Sequence, residues 1–417
     1  MKLPCNMPLA CFDFGLKQKT NEVREGKIMN KYRGSITALL GALSLLFVSF
    51  NAQAVPSYAR QTGLACASCH TIFPELTPFG RSFKLNGYTL TGLKDISAQP
   101  TSSASGMKIG AAAPMAAMLQ VNIGHTDAGN EYLMPNEFSL FFAGEISPKM
   151  GSFIQMTMED GGFAMDNADI RYANHKGDTI YGVTINNSPT VQDVWNSSPV
   201  WGYPFTGGAD MTQPLVADGL GQNVMGVGAY AQMANGLYAE LTLYQQNTNG
   251  GQITTPSDGA TPTDLKEFSP YVRVAWQKGM SNGDNLMVGA YGMQSTLDSG
   301  GATDKVTDMT VDSQYEHHLK GGNLISAHAS YTNENVDGGI GASNTLNALR
   351  VDGIYHWGSH AEAALGYAKN SDANDDEAVV AQYSYLPWQN TKFTVQYVHP
   401  TMAGSSDTVL LQSWFMW

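Results

Sequence analysis

From Ala113 onward, apolar and polar residues alternate in short runs separated by Gly, Asn and Asp. In the first run, Met115, Ala117, Leu119, Val121 and Ile123 fall on one face and Met118, Gln120 and Asn122 on the other. A period of two is that of a strand whose faces meet different surroundings. About sixteen such runs follow one another, near 113–124, 136–146, 152–159, 167–174, 179–187, 223–233, 236–246, 268–278, 285–296, 304–316, 323–332, 344–356, 360–369, 377–386, 390–399 and 407–417. Tight connections, such as Ser147-Pro148-Lys149, Asn235-Gly236, Lys320-Gly321-Gly322 and Leu386-Pro387-Trp388, alternate with long polar ones, the longest being 188–222 and 247–267. Periplasmic turns and extracellular loops of a transmembrane barrel alternate in this way. The pattern predicts an all-β barrel of about 16 antiparallel strands over residues 110–417. The last run, Thr408–Trp417, ends on an aromatic residue, as terminal strands of outer-membrane barrels usually do. A soluble sandwich or propeller is the competing architecture; the turn and loop alternation and the absence of blade-like repeats count against it.

Upstream the pattern changes. From Met29, Lys31 and Arg33 precede the apolar run Ile36–Phe50, and Ala52-Gln53-Ala54 offers a small-residue cleavage site, which together read as a Sec-type signal peptide with Val55 as the mature N-terminus. About fifteen apolar residues fall short of the ~20 that a spanning helix needs. Residues 1–28 precede this second start and are excluded from the fold, so 1–54 is read as a removed extension plus signal. No later segment is long and apolar enough for a transmembrane helix. Removing 1–54, which holds seven basic and three acidic residues, takes the net charge from −13 to −17. An acidic export product without a basic tract is poorly suited to nucleic acid, whose phosphates require clustered Lys or Arg.

Of the four cysteines only Cys66 and Cys69 remain in the mature chain, which rules out a disulfide framework. With His70 they form C-x-x-C-H, the c-type haem attachment pattern. Two thiols would form thioethers to the porphyrin vinyl groups, and the adjacent imidazole would be the proximal iron ligand. A thioredoxin-like pair lacks its βαβ context here, and a zinc site lacks a second ligand pair. Thr77 as N-cap, Pro78 at the first helical position and Gly87 as the left-handed stop predict a short helix, with Phe79 and Phe83 on one face for the haem. Arg60, Arg81 and Lys84 are candidate partners for the propionates. The monohaem domain, 55–95, is too small to enclose a haem alone. A Ser/Ala-rich linker, 96–109, leads to the barrel that would supply the missing surface.

The string Arg60-Gln61-Thr62-Gly63, C-A-S-C-H, Phe73-Pro74-Glu75-Leu76-Thr77-Pro78-Phe79-Gly80-Arg81, Phe83-Lys84 and Gly87-Tyr88 resembles the fused outer-membrane monohaem cytochrome c-porins, whose best-known members oxidise ferrous iron outside iron-oxidising bacteria. The resemblance is close over about thirty residues; the barrel agrees in length and pattern. It implies one covalent haem c lodged in or at the pore, attached by Cys66 and Cys69 and ligated by His70, passing electrons inward to a periplasmic c-type cytochrome. It does not name the distal ligand. Met118, on the face of the first strand that points away from lipid, is the candidate, with His125, His175, His328, His356 and His399 as rivals. A methionine ligand would raise the haem potential relative to bis-histidine.

Loop carboxylates, among them Asp127, Glu131, Asp193, Asp298, Glu334 and Asp337, would favour the approach of cations; a solvated acidic surface is the plainer account of them. The leading expectation is therefore an extracellular Fe(II) oxidase of the cytochrome type in the outer membrane. A conduit for another extracellular donor or acceptor, and a solute porin with a structural haem plug, stand beside it.

Overall fold

The computed structural model of the chain describes residues 57–92 and 114–417, apart from 128, 160–161, 190–192, 199–203, 208–210, 255–260, 372–375, 389 and 402–404. The signal peptide and the linker read from the sequence lie outside the described residues. Three short helices come first: α1 (Ser57–Thr62), α2 (Cys66–Cys69) and α3 (Pro78–Leu85). Strands follow as β1 (Met115–Thr126), β2 (Gly129–Ser147), β3 (Met150–Glu159), β4 (Gly162–Lys176), β5 (Thr179–Asn186), β6 (Val224–Gln232) and β7 (Leu237–Gln246). Then come β8 (Ile253–Thr254), β9 (Pro262–Leu265), β10 (Ser269–Gly279), β11 (Asn285–Ser299), β12 (Ala302–His318) and β13 (Leu324–Asp337). The chain ends with β14 (Asn344–Trp357), β15 (Ala361–Ser371), β16 (Glu377–Trp388), β17 (Thr391–Pro400) and β18 (Thr408–Met416).

All of these strands except β8 and β9 form one closed antiparallel barrel of sixteen strands. β10 pairs directly with β7 past the small β8–β9 hairpin, and β1 pairs with both β2 and β18, so that Leu119 lies opposite Phe138 on one side and Phe415 on the other. Closure leaves no strand edge, which is what a sheet requires where lipid offers no hydrogen bonds. Side chains alternate accordingly. On β12, Asp308, Asp312, Gln314 and Glu316 turn inward and are buried, while Met309 and Val311 turn outward and are 63 % and 59 % exposed. Outward Val, Leu and Met of this kind circle the barrel, forming the band that faces lipid. Exposed aromatic residues, including Tyr172, Tyr181, Trp276, Trp357 and Trp388, gather near the short turns, as at a membrane interface.

The strand number and the facing of β1 agree with the sequence pattern; the rim opposite the short turns does not. There the connections at Thr126–Gly129, Glu159–Gly162 and Ser299–Ala302 are tight hairpins, and β2, β4 and β12 outrun the segments read from the sequence. In the first stretch of β2, residues 129–137, nearly every side chain is exposed. Hydrogen bonding continues past the lipid band, but hydrophobic alternation does not.

The longest connection, 188–222, is expected outside the barrel. Its described parts fold inward instead. Trp195 is buried edge-on against Tyr238, with its indole N–H on Gln277 (2.6 Å); the Thr206 amide donates to Gln382, and the Leu215 amide to Glu334 (2.6 Å). Leu215, Val216 and Leu220 join Tyr244, Tyr271 and Tyr291 from the wall in an apolar core within the lumen.

Val274, near the middle of β10 and 48 % exposed, tests the lipid-facing assignment. Val274→Arg is expected to lower barrel stability by about 2–4 kcal/mol in urea titrations of protein folded into lipid vesicles. An inward substitution of equal size has no lipid to meet.

Candidate functional site

The segment carrying the cysteines folds as the local rules dictate. The Thr77 hydroxyl accepts the Gly80 amide (3.1 Å), Pro78 opens α3, and Gly87 adopts φ +71° just past the C-cap at Asn86. Thr77 also ties back, its amide to the Cys69 carbonyl (2.9 Å) and its hydroxyl to that of Ser68 (2.7 Å). Gly80 allows this closeness: a Cβ there would lie 2.1 Å from the Cys69 carbonyl oxygen. Residues 70–77 thus form a closed loop between α2 and α3.

Cys66, Cys69 and His70 line one wall of a mostly apolar cavity of about 1700 Å³, part of it open to solvent. The rest of that wall includes Tyr58, Phe83 and Lys84, whereas Phe79 stands outside it with its ring 6.5 Å from Phe83. The barrel closes the other side with Phe141, Phe153, Lys392, Trp414 and Met416. The His70 Nδ1 lies 3.2 Å from both the Pro74 and Glu75 carbonyl oxygens. An N–H donated there leaves Nε2 as the lone-pair nitrogen, the arrangement that fixes metal-ligating histidines. Burial holds the imidazole below its ordinary pKa, hence neutral, and pushes the Cys69 thiol up to about 11, with Cys66 beside it adding to the rise. Two neutral thiols, one oriented imidazole and an apolar slot could together hold a flat macrocycle by two thioether bonds and one axial bond.

Polar anchors fix this small domain inside the barrel, and most of them come from the string quoted above. Arg81 does not line the cavity. Its guanidinium makes a bidentate, buried ion pair with Glu316 on β12 (2.8 and 2.9 Å) and also reaches Gln314 and the Leu76 carbonyl. The expectation that Arg81 partners a propionate is therefore corrected: a charge inside a barrel is claimed first by the wall carboxylate that neutralises it. Arg60 likewise donates to the Met115 carbonyl. Glu75 is fully buried between His328 (3.2 Å) and His356 (3.3 Å), which stand on neighbouring strands. Burial pushes its carboxyl up, but the hydrogen bonds from the two histidines outweigh this and hold it well below the usual value. The Tyr88 hydroxyl donates to Asp169 (2.6 Å), itself paired with Arg171, and the Tyr230 hydroxyl to the Leu85 carbonyl (2.7 Å).

Met118 points into the lumen as read, yet it lies outside the cavity lining. Its sulfur accepts the Trp414 indole N–H at 2.7 Å. The rival histidines are also outside the lining: His328 and His356 hold Glu75, His175 bonds Asn86 (2.5 Å), and His125 and His399 are exposed near the rim. Two of the loop carboxylates prove to be internal. Asp193 neutralises the buried Arg273 together with Asp312, and Glu334 receives the Leu215 amide. Among the described residues no group of three His, Cys, Asp or Glu is arranged to hold a metal ion. The wall contributors Lys392 and Met416 carried no motif; only their inward register on β17 and β18 could have marked them.

No family model and no curated protein matches the chain. Among solved structures it is similar to the in-vitro folded outer membrane protein OmpT of Vibrio cholerae, at 12 % identity and a TM-score of 0.47, over 77 % of this chain and 100 % of that one. It is also similar to the anion-selective porin from Comamonas acidovorans, at 14 % identity and a TM-score of 0.47, over 73 % of this chain and 98 % of that one.

Arg81→Ala strands a buried carboxylate, so docking of the helical segment should weaken by about 3–5 kcal/mol, read as faster proteolysis of residues 57–92 in the folded barrel. Replacing both partners, Arg81→Met with Glu316→Leu, should recover most of the loss. The depressed Glu75 carboxyl gives an acid dependence of definite sign. Its contribution is complete above the ordinary value near 4.5 and is lost as pH falls through its lower folded value. Protease sensitivity of the segment should therefore rise on acidification, and less so in Glu75→Gln.

Proposed function

We propose that this chain is an outer-membrane electron conduit that carries one covalent haem c inside its barrel. The observation that carries the reading is the placement of Cys66, Cys69 and His70 on a cavity walled jointly by the small helical segment and the barrel's inner face. The closed barrel with an outward apolar band supports residence in a bacterial outer membrane.

Haem c, when bound, supplies a one-electron carrier. The chain does the rest. Cys66 and Cys69 would each add their S–H across a vinyl group, and His70 would present Nε2, held by its Nδ1 hydrogen bonds. Lys84 and Lys392 line the cavity as cations for the two propionates, replacing Arg81 in that role. Tyr58, Phe83 and Phe141 exclude water. The lipid band is roughly 25 Å tall, so a carrier inside the lumen shortens the electron's path from either face. Resemblance of the haem segment favours an extracellular donor, Fe(II) first, and a periplasmic c-type cytochrome as the next carrier. In that form the protein is an Fe(II) oxidase that takes one electron per ferrous ion.

A second reading, a solute porin with a structural haem plug, is favoured by the sixteen-stranded barrel itself, whose inner wall carries many polar side chains. Purified holoprotein distinguishes the two. The conduit reading expects Fe²⁺ to reduce the haem, seen spectroscopically, and little ion conductance in planar bilayers. Large open-channel conductance with a redox-silent haem would reverse the order, and haem reduced by other donors but not by Fe²⁺ would leave the conduit without its iron.

A further inference from the structure

We propose that Met416, the penultimate residue of the chain, supplies the sixth ligand to the haem iron from the barrel wall. The assignment rests on the reading of a covalent haem at Cys66 and Cys69.

It follows from asking what each donor on the cavity is already doing. The Tyr58 hydroxyl donates to the Ser152 carbonyl (2.5 Å) and Tyr88 to Asp169. The Asp193 carboxylate receives the Trp195 and Ser198 amides and pairs with Arg273, and the Asn196 amide oxygen takes the Leu76 N–H (3.2 Å). Lys392 lies with its Nζ 5.8 Å over the Trp414 ring, a contact that favours the ammonium, which has no lone pair for a metal. Lys84, also on the cavity, suits an anionic partner as a cation.

Met416 is different. It turns inward on β18, is 6 % exposed and lies on the cavity, and no hydrogen bond among the described residues engages its sulfur. A thioether is a soft, neutral donor suited to haem iron and is the partner of histidine in many cytochromes c. Met118 sits directly across from Met416 in the β1–β18 register, but its sulfur is held by Trp414. The pair thus divides the work: Met118 receives the indole N–H, and Met416 keeps its lone pairs for the cavity. Phe73 bridges the two walls, its ring 5.4 Å from His70 on one side and stacked 5.4 Å from Trp414 on the other, so the ligand strand packs against the loop that carries the proximal histidine. The iron would then be bound by the residue that caps α2 and by the last described strand, and fully ligated only once β18 has closed the barrel.

Purified holoprotein tests this by spectroscopy and redox titration. Ferric wild type should show the far-red sulfur-to-iron charge-transfer band of histidine–methionine ligation, and the ferrous form one strongly upfield-shifted methionine methyl resonance. Met416→Leu should lose both and lower the midpoint potential, Met118→Leu should keep both, and Met416→His should give a low-spin bis-imidazole spectrum. A haem-bearing wild type without the band and the shifted methyl overturns the assignment even if no variant assembles. Retention of the band in Met416→Leu, or its loss in Met118→Leu, does so too. A chain with no covalent haem on denaturing gels overturns the underlying reading along with the ligand.

Discussion

Closure of the sheet is the constraint from which everything else in the molecule follows. In lipid, an unpaired strand edge would leave backbone donors and acceptors without partners, so β18 must return to β1. Once that happens, each strand has one face for lipid and one for an enclosed lumen, and the inner side chains must find partners without bulk water. Asp169, Asp312, Glu316 and Glu334 show the result, each of these carboxylates meeting a cation or an amide donor.

Asp169 and Asp312 find theirs in the wall itself, in Arg171 and Arg273, and the others come from two pieces of chain that are not part of the wall. The helical segment brings Arg81, Glu75 and Tyr88; the inward loop brings Asp193, Trp195 and the Leu215 amide. Neither piece is large enough to be stable by itself. The helical segment has a small aromatic core, in which Tyr58 stacks on Tyr88 at 5.6 Å and meets Phe83 edge-on at 5.2 Å, and its remaining packing surface is the barrel. Wall and filling therefore complete each other: the carboxylates that would be costly alone become the sockets that hold the filling in one orientation.

That orientation is what makes a site. C-x-x-C-H on a free segment presents two thiols and an imidazole to solvent. Docked, it presents them to an apolar slot whose far side is barrel wall, with cations and a thioether at defined positions. The proposed electron route and the proposed sixth ligand both depend on this docking, since neither the helical segment nor the barrel contains the cavity by itself.

Much was legible in the sequence because it is written locally. Alternation along each strand depends only on whether a side chain meets lipid or lumen, so the strand count, the inward facing of Met118 and the cap and stop of α3 follow from neighbours a few residues apart. The C-x-x-C-H motif is local as well. What the sequence left open is non-local. Arg81 had the chemistry of a propionate partner, and only the placement of Glu316, 235 residues later, assigns it elsewhere. Met118 and Met416 are both inward methionines on adjoining strands, but Met416 lines the cavity whereas Met118 lies outside it and accepts the N–H of Trp414. The inward path of the described parts of residues 187–222 has no periodicity to read, because most of their partners lie on walls built by strands that come later in the chain. The sequence by itself determined the barrel and the spacing of the C-x-x-C-H motif, since period and spacing are properties of a short stretch. Which side chains reach the cavity was decided only when closure brought the first and last described strands together.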